Sequence, residues 1–143
     1  MASVTSAIEG SEQEAVGDAL VLEIPGDAAH LSTARLFAAA VGRHFGVDES
    51  AIDDVKLGVS EAVTTAVDDP DRAGPPTIVV RRVDDGTLWF EVRWRRGDGG
   101  DLEASMSLQV VRGLFETATL SVEGDGETRI RFGLTNPDSN VPG

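Results

Sequence analysis

The stretch Val59-Ser60-Glu61-Ala62-Val63-Thr64-Thr65-Ala66-Val67 lies late in a long helical pattern that opens at Asp48. Glu61 and Thr65 are four residues apart, so their side chains project from neighbouring turns of one helix face. This pair indicates either the lining of a pocket or a solvated flank. Apolar residues recur every three or four positions, as in a helix with one buried face; they are Ile52, Val55, Val59, Ala62, Val63 and Ala66.

The composition indicates a single acidic domain. The 143 residues include 25 acidic and 12 basic side chains, for a formal net charge of −13, and no cysteine. A chain of this length forms one ordinary domain, and without cysteine it has neither a disulfide framework nor a thiolate metal site. The charge disfavours nucleic acid and anionic membranes, and no apolar run spans a bilayer. We therefore expect a cytoplasmic protein, and the acidic surface favours a basic partner.

The pattern along the chain predicts one domain over 18–135 between two loose tails, 1–17 and 136–143. Within it a strand, two helices, a hairpin, a third helix and a second hairpin follow one another. Their predicted ranges are Ala19 to Ile24, Asp27 to Gly46, Asp48 to about Asp68, Thr77 to Val83, Thr87 to Arg95, Ser105 to Phe115, Thr119 to Glu123 and Thr128 to Leu134. This order predicts an α+β two-layer sandwich, with three helices on one face of a mixed, mostly antiparallel sheet.

The strand from Thr87 to Arg95 has two different faces. Side chains on a strand point alternately to the two sides of a sheet. One set is predicted to face the core: Leu88, Phe90, Val92 and Trp94. The other set is predicted to face water or an interface: Trp89, Glu91, Arg93 and Arg95.

The segment Ser60-Glu61-Ala62-Val63-Thr64-Thr65-Ala66 resembles the sequence Ser-Glu-Ala-Val-Thr-Asn-Ala of the anti-sigma factor serine kinases, members of the GHKL ATPase superfamily. The resemblance extends in element order and spacing from about Leu20 to Leu134. It implies the GHKL (Bergerat-type) fold, in which three local boxes bind ATP between the helices and the sheet.

The first box is altered at the magnesium ligand. In the family the Glu is the general base and the Asn binds Mg²⁺; here Glu61 matches the base, and Thr65 replaces the Asn. A Thr hydroxyl is shorter than an Asn carbonyl and a weaker ligand in that geometry. Asp68 and Asp69 replace a His-Gly pair and would bring extra negative charge near a triphosphate.

The second box is altered at the adenine contact. In the family a strand ends in Asp-x-Gly-x-Gly, and the Asp accepts a hydrogen bond from adenine. The resemblance places Trp94 at the Asp and places Arg96 and Asp98 at the two glycines. Neither an indole nor a guanidinium accepts a hydrogen bond. Trp94 is predicted to fill the volume of adenine, and Gly97, Gly99 and Gly100 predict a flexible turn or, alternatively, a phosphate loop.

The third box, Gly-x-Gly-Leu in the family, reads Ser105-Met106-Ser107-Leu108. Ser105 and Ser107 carry side chains where the backbone approaches phosphates closely, although their hydroxyls can still donate hydrogen bonds. Because all three boxes are altered, we expect weak or absent binding of ATP and Mg²⁺. No cofactor is therefore expected, and ATP with Mg²⁺ would be one only if the altered site still bound them. His30 and His44 lie at opposite ends of one predicted helix, so no metal site is expected from them.

The resemblance also implies partners. Ala34-Arg35 aligns with an Ala-Arg pair whose Arg contacts the sigma factor, so Arg35 is either a partner contact or an ordinary solvated charge. The implied partners are a sigma factor, a STAS-type anti-anti-sigma factor and a second copy of the chain in a homodimer, without nucleic acid or membrane.

Three functions follow as hypotheses. The first is an anti-sigma-factor-like regulator, a pseudo-kinase that acts by protein–protein binding. The alternative is a divergent serine kinase that phosphorylates an anti-anti-sigma factor with Glu61 as general base. The third is a scaffold for another partner, because a fold does not fix a function.

Overall fold

A computed structural model describes residues 3–6, 19–82, 86–97 and 100–135. This part of the chain contains six strands and three helices, and single 3-10 turns, Ala28–His30 and Leu102–Ala104, precede the first and third helices. The elements are β1 (Ser3–Ser6), β2 (Ala19–Glu23), α1 (Leu31–His44), α2 (Glu49–Val67), β3 (Arg72–Arg82), β4 (Thr87–Arg96), α3 (Met106–Leu114), β5 (Thr119–Val122) and β6 (Glu127–Thr135). The predicted order of the eight elements from β2 to β6 is confirmed.

The strands form one sheet in the order β1-β2-β3-β4-β6-β5. Every pairing between the described strands is antiparallel, so the parallel component that a mixed sheet requires is not found among them. The predicted α+β two-layer class is confirmed, with the helices packed against one face of the sheet. No helix in the described ranges is both long and apolar enough to cross a membrane.

Two predicted loose segments are strands. Ser3–Ser6 pairs with β2, Ser3 opposite Glu23, so the prediction of a mobile tail is wrong for these four residues. The β-branched residues Val4 and Thr5 suit a strand, but their pattern is too short to be recognised. The rest of both predicted tails, and the turn at 83–85, lie outside the described residues.

β3 begins at Arg72, although the sequence predicts a loop up to Pro76. The register between β3 and β4 shifts between Ala73 and Thr77, where the segment Gly74-Pro75-Pro76 lies. Proline lacks the N–H that a regular ladder needs, so an irregularity accommodates the two prolines and lets pairing continue towards Arg72.

α2 begins and ends within one residue of the prediction, and α1 ends before Gly46 as predicted, but α1 begins only at Leu31, after a 3-10 turn that Asp27 caps. Asp27 precedes the turn before α1 and accepts a hydrogen bond from the Ala29 backbone N–H at 2.9 Å. Gly46 follows α1 with a φ of 86°, a conformation that glycine adopts without strain. The whole predicted apolar stripe of α2 is at most 1% exposed: Ile52, Val55, Val59, Ala62, Val63 and Ala66.

α2 packs over β3 and β4 at the centre of the sheet and contacts both other helices. Glycine at position 58 makes this close packing possible. A Cβ at Gly58 would lie 2.7 Å from Cε2 of Phe115 and 2.9 Å from Cζ of Phe132. These two rings are stacked with centroids 4.1 Å apart, and Phe90 also stacks on Phe132, with centroids 5.4 Å apart. The rings are therefore confined on several sides.

Gly58→Ala is expected to destabilise the protein. Alanine favours a helix over glycine by about 1 kcal/mol, but overpacking a confined core costs about 1–3 kcal/mol, so packing should dominate. Urea unfolding measures the change. The matched control is Gly113→Ala in α3, because a Cβ at Gly113 has no described atom within 4 Å and should stabilise the protein. A Gly58→Ala protein as stable as Gly113→Ala would contradict the packing argument.

Candidate functional site

The first predicted site residues lie on the last turns of α2, with different surroundings. Thr65 is only 3% exposed, and its hydroxyl donates a 3.0 Å hydrogen bond to the backbone carbonyl of Glu61. The Glu61 side chain is half-buried and makes no hydrogen bond or ion pair with the described residues. The hydroxyl is thus directed back onto its own helix, while the carboxylate is available to a ligand.

A buried cluster of three side chains lies where α2 ends and β4 ends. Asp69 follows α2 by two residues, and its carboxylate is fully enclosed. The indole N–H of Trp94 donates to Oδ2 of Asp69 at 2.8 Å. Arg96 donates through Nε to the same oxygen at 2.7 Å and through Nη2 to Oδ1 at 2.9 Å. We call these three residues the Asp69 cluster.

The strand geometry explains why Trp94 and Arg96 meet one carboxylate. The two residues are two positions apart on β4, so their side chains lie on the same face of the sheet. That face is the one packed by the helices, and Trp94 is 3% exposed, as the alternation along β4 predicts. An indole N–H and a guanidinium in such a position need an acceptor, which Asp69 provides at the end of α2.

Hydrogen bonds control the charge of the Asp69 cluster. Burial raises the pKa of Asp69, but the hydrogen bonds from Arg96, Trp94 and the Asp71 backbone N–H together lower it by more. The net effect lowers the pKa from its ordinary 3.8 to about 2. The hydrogen bond with Asp69 raises the pKa of Arg96. The cluster is therefore an ion pair over the whole physiological range of pH.

The Asp69 cluster also connects two loops. Nη2 of Arg96 lies 3.5 Å from Oδ2 of Asp71, and Nη1 donates to the Gly100 carbonyl at 3.1 Å. The Gly97 backbone N–H donates to the Asp71 carbonyl at 3.0 Å. The backbone on both sides of the predicted flexible turn is therefore connected to the segment after α2. Asp98 and Gly99 lie outside the described residues.

The serines of the third box have separate surroundings. Ser105 precedes α3, and its Oγ accepts a 3.2 Å hydrogen bond from the Leu108 backbone N–H. One of the free N–H groups at the start of α3 is thereby satisfied within the protein. Ser107 is half-buried within α3, and Met106 between them is 78% exposed.

The structure corrects the expected role of one acidic residue. Asp69 was predicted to add negative charge near a triphosphate, but Arg96 neutralises it inside the protein. The neighbouring Asp68 is exposed, as that prediction requires of a free charge. The signal that was missed is chemical, because a tryptophan and an arginine on the core side of one strand require an acceptor.

The family model of the histidine kinase-like ATPase domain matches residues 24–109. This match covers more than half of the chain. The chain belongs to the histidine kinase-like ATPase domain family. A search of curated proteins gave no match.

The matched range runs from the residue after β2 into α3 and contains the segments that the resemblance to the anti-sigma factor kinases assigns to the three boxes. Thr65, Asp69, Trp94, Arg96 and the two serines therefore all lie within the part that the family shares. No three carboxylate or imidazole side chains in the described part of the domain come together as a metal-binding group.

Replacing the carboxylate at the centre of the cluster is expected to destabilise the domain. Asp69→Asn removes the buried counter-charge of the Arg96 guanidinium, which is 8% exposed, and leaves it only the partly exposed Asp71 at 3.5 Å. Breaking a buried pair in this way costs about 3 kcal/mol. Urea unfolding at pH 7 measures the loss. Asp68→Asn is the matched control, because that side chain is exposed and its loss should change stability by less than about 0.5 kcal/mol. Equal losses of stability in Asp69→Asn and Asp68→Asn would contradict the buried ion pair of Asp69 with Arg96.

The same pair predicts a particular acid dependence. Since the pKa of Asp69 is lowered to about 2 from 3.8, its ionisation stabilises the folded state above pH 3.8, and this contribution is lost as pH falls towards 2. A shift of this size corresponds to about 2 kcal/mol. The stability difference between the unmodified protein and Asp69→Asn should therefore narrow between pH 4 and pH 2. A difference independent of pH would contradict an ionised Asp69.

Proposed function

We propose that this member of the histidine kinase-like ATPase family is an anti-sigma-factor-like regulator that acts by protein–protein binding and has lost kinase activity. The Asp69 cluster carries the proposal. By the resemblance to the anti-sigma factor kinases, Trp94 stands at the adenine-binding position and Arg96 at a phosphate-loop position. In this chain the two side chains bond instead to a carboxylate of their own protein.

The residues present do not fit adenine or a magnesium-bound triphosphate. Both oxygens of Asp69 accept hydrogen bonds from Arg96, Trp94 or the Asp71 backbone, and the carboxylate is fully enclosed. It therefore has no free position for the adenine amino group or for a metal ion. We infer that the Trp94 ring takes the volume of adenine.

Two other box positions support the same inference. Thr65 is buried, and its hydroxyl donates to its own helix, so it presents a poor ligand to Mg²⁺. Ser105 accepts the Leu108 N–H, one of the groups with which a glycine-rich helix start would bind phosphate. Each replacement forms a contact inside the protein at a position that in the family serves ATP.

A partner surface is proposed on α1. Arg35 is half-buried, and its neighbour Leu36 is 71% exposed, which is unusual for a leucine of a folded domain. An arginine beside an exposed apolar side chain is typical of binding surfaces. We assign this face to a sigma factor or a STAS-type anti-anti-sigma factor, and we propose that the protein works as a homodimer, as the resembled family does.

The second candidate is a divergent serine kinase with Glu61 as general base. One observation favours it: the half-buried Glu61 carboxylate has no hydrogen-bond partner among the described residues. Phosphoryl transfer depends mostly on positioning the metal and the phosphates, and the residues for that task are the altered ones. We therefore rank this function second.

Calorimetric titration with ATP and with ADP, each with Mg²⁺, tests the loss of the nucleotide site. The expected result is no saturable heat, because Trp94 and the enclosed Asp69 leave no site for adenine. Circular dichroism of the same sample serves as the control that the protein is folded. Saturable binding would overturn the proposal; if Glu61→Ala then abolished phosphate transfer to a STAS-domain serine, the kinase function would replace it.

Binding to sigma factors of the same organism tests the partner surface. The complex should form equally well with and without nucleotide, and Arg35→Ala should weaken it by about tenfold, as for an arginine central to an interface. The control is Arg43→Ala, on the same helix but 53% exposed and paired with Glu49. An unchanged affinity for Arg35→Ala, or an equal loss with Arg43→Ala, would exclude this face of α1.

A further inference from the structure

The sheet has a second face that no described helix covers, and its charge is opposite to that of the chain. β4 and β6 pair there and present Trp89, Arg93, Arg95, Arg129 and Arg131, which we call the basic face. Three carboxylates lie among these four arginines: Glu91, Glu127 and Asp125, whose Oδ2 lies 3.8 Å from Nη1 of Arg95. The chain as a whole carries −13, so positive charge is concentrated on one side of the sheet.

The carboxylates on this face do not balance the arginines. Arg93 and Arg129 are directly opposite each other on the paired strands, and like charges in that arrangement destabilise a sheet. Both lie near the same carboxylate: Arg93 hydrogen-bonds to Oε2 of Glu91, and Nε of Arg129 lies 3.9 Å from that oxygen. Glu127 is shared in the same way, since its carboxylate lies 3.9 Å from Nε of Arg129 and 3.9 Å from Nη2 of Arg95. Arg131 forms no ion pair with any described residue, so the face keeps an excess of positive charge.

The two arginines of β6 also have unsatisfied donors. The Nε atoms of Arg129 and Arg131 are buried and donate no hydrogen bond to any described residue. Buried guanidinium donors are normally paired, so a missing acceptor points to a group that the described residues do not supply. A carboxylate has the right geometry to accept from a guanidinium with two oxygens.

The basic face has a flat aromatic centre. Trp89 packs directly over Gly133 on β6, where a Cβ would lie 2.8 Å from Cε3 of the indole. The guanidinium carbon of Arg131 lies 4.2 Å from the indole centroid on a face of the ring. This stack fixes the half-buried Trp89 against Arg131, and tryptophan and arginine are the residues that most often dominate protein interfaces.

We propose that the basic face binds the acidic surface of a protein partner, whose carboxylates pair with Arg129 and Arg131 beside Trp89. The interleaved Glu91 and Glu127 favour a partner that carries some positive charge among its carboxylates. They disfavour nucleic acid, as does the negative field of the remaining surface. This inference does not depend on the proposed function, because it concerns the opposite face of the sheet.

Fluorescence anisotropy with a labelled poly-L-glutamate peptide at low salt tests the proposal on the full chain. The peptide is expected to bind, and Arg129→Glu should weaken binding by about tenfold or more, because it replaces an attraction with a repulsion. Arg43→Glu on α1 is the matched control, since it makes the same change of charge on an exposed arginine away from the sheet. Absence of peptide binding, or an equal loss in the two variants, would overturn the proposal.

Two further measurements keep the result specific. Arg129→Gln should weaken the peptide complex without lowering the stability of the free protein in urea, because it removes one of two opposed positive charges. If it lowers stability instead, Arg129 is a structural residue and the proposal fails. A labelled single-stranded oligonucleotide that binds the basic face more tightly than the peptide would overturn the assignment to a protein partner.

Discussion

The hydrogen bonds to the enclosed carboxylate of Asp69 are the interaction on which the candidate site depends. Arg96 donates two hydrogen bonds to it and Trp94 a third, so the end of α2 is connected to the end of β4. Arg96 also reaches Asp71 and Gly100, which extends the connection to the loop before α3. Removing the carboxylate would leave the Trp94 indole without its acceptor and the Arg96 guanidinium without its buried counter-charge.

The residues that the resemblance places at the altered family boxes are explained by their contacts with one another. A buried tryptophan at position 94 needs an acceptor for its N–H, and an arginine at position 96 needs a counter-charge. Asp69 satisfies both, and Trp94 and Arg96 neutralise and shield it in turn. Replacing one of these three residues alone would therefore leave a polar group of another without its partner, because Trp94 and Arg96 both donate to the Asp69 carboxylate.

Charge is distributed unevenly over the two layers. The exposed surface of α2 carries Asp53 and Asp54, while the far side of the sheet carries the basic face. A strongly acidic chain with one basic side can meet two partners of opposite character without their surfaces overlapping. Such a separation lets a partner on the helix side and a partner on the basic face bind without competing for the same surface.

The sequence alone determined the fold class, the element order and the buried stripe of α2, because helices and strands have different periods of hydrophobicity. It also determined that Trp94 faces the core and that Arg93 and Arg95 face away, since side chains alternate on a strand. The sequence did not predict the strand Ser3–Ser6, because four residues are too few to show a period of hydrophobicity. It also did not predict that the pairing of β3 continues past two prolines.

Only the tertiary structure decided what Asp69 does, because its partners are 25 and 27 residues away in the chain. From the sequence it was one of two adjacent acidic residues, and nothing local distinguishes it from the exposed Asp68. The position of Arg93 directly opposite Arg129 could not be predicted from the sequence either, because strand register pairs residues that are distant in the chain. Local periodicity fixes which way a side chain faces, whereas the pairing of charges depends on long-range packing that periodicity does not contain.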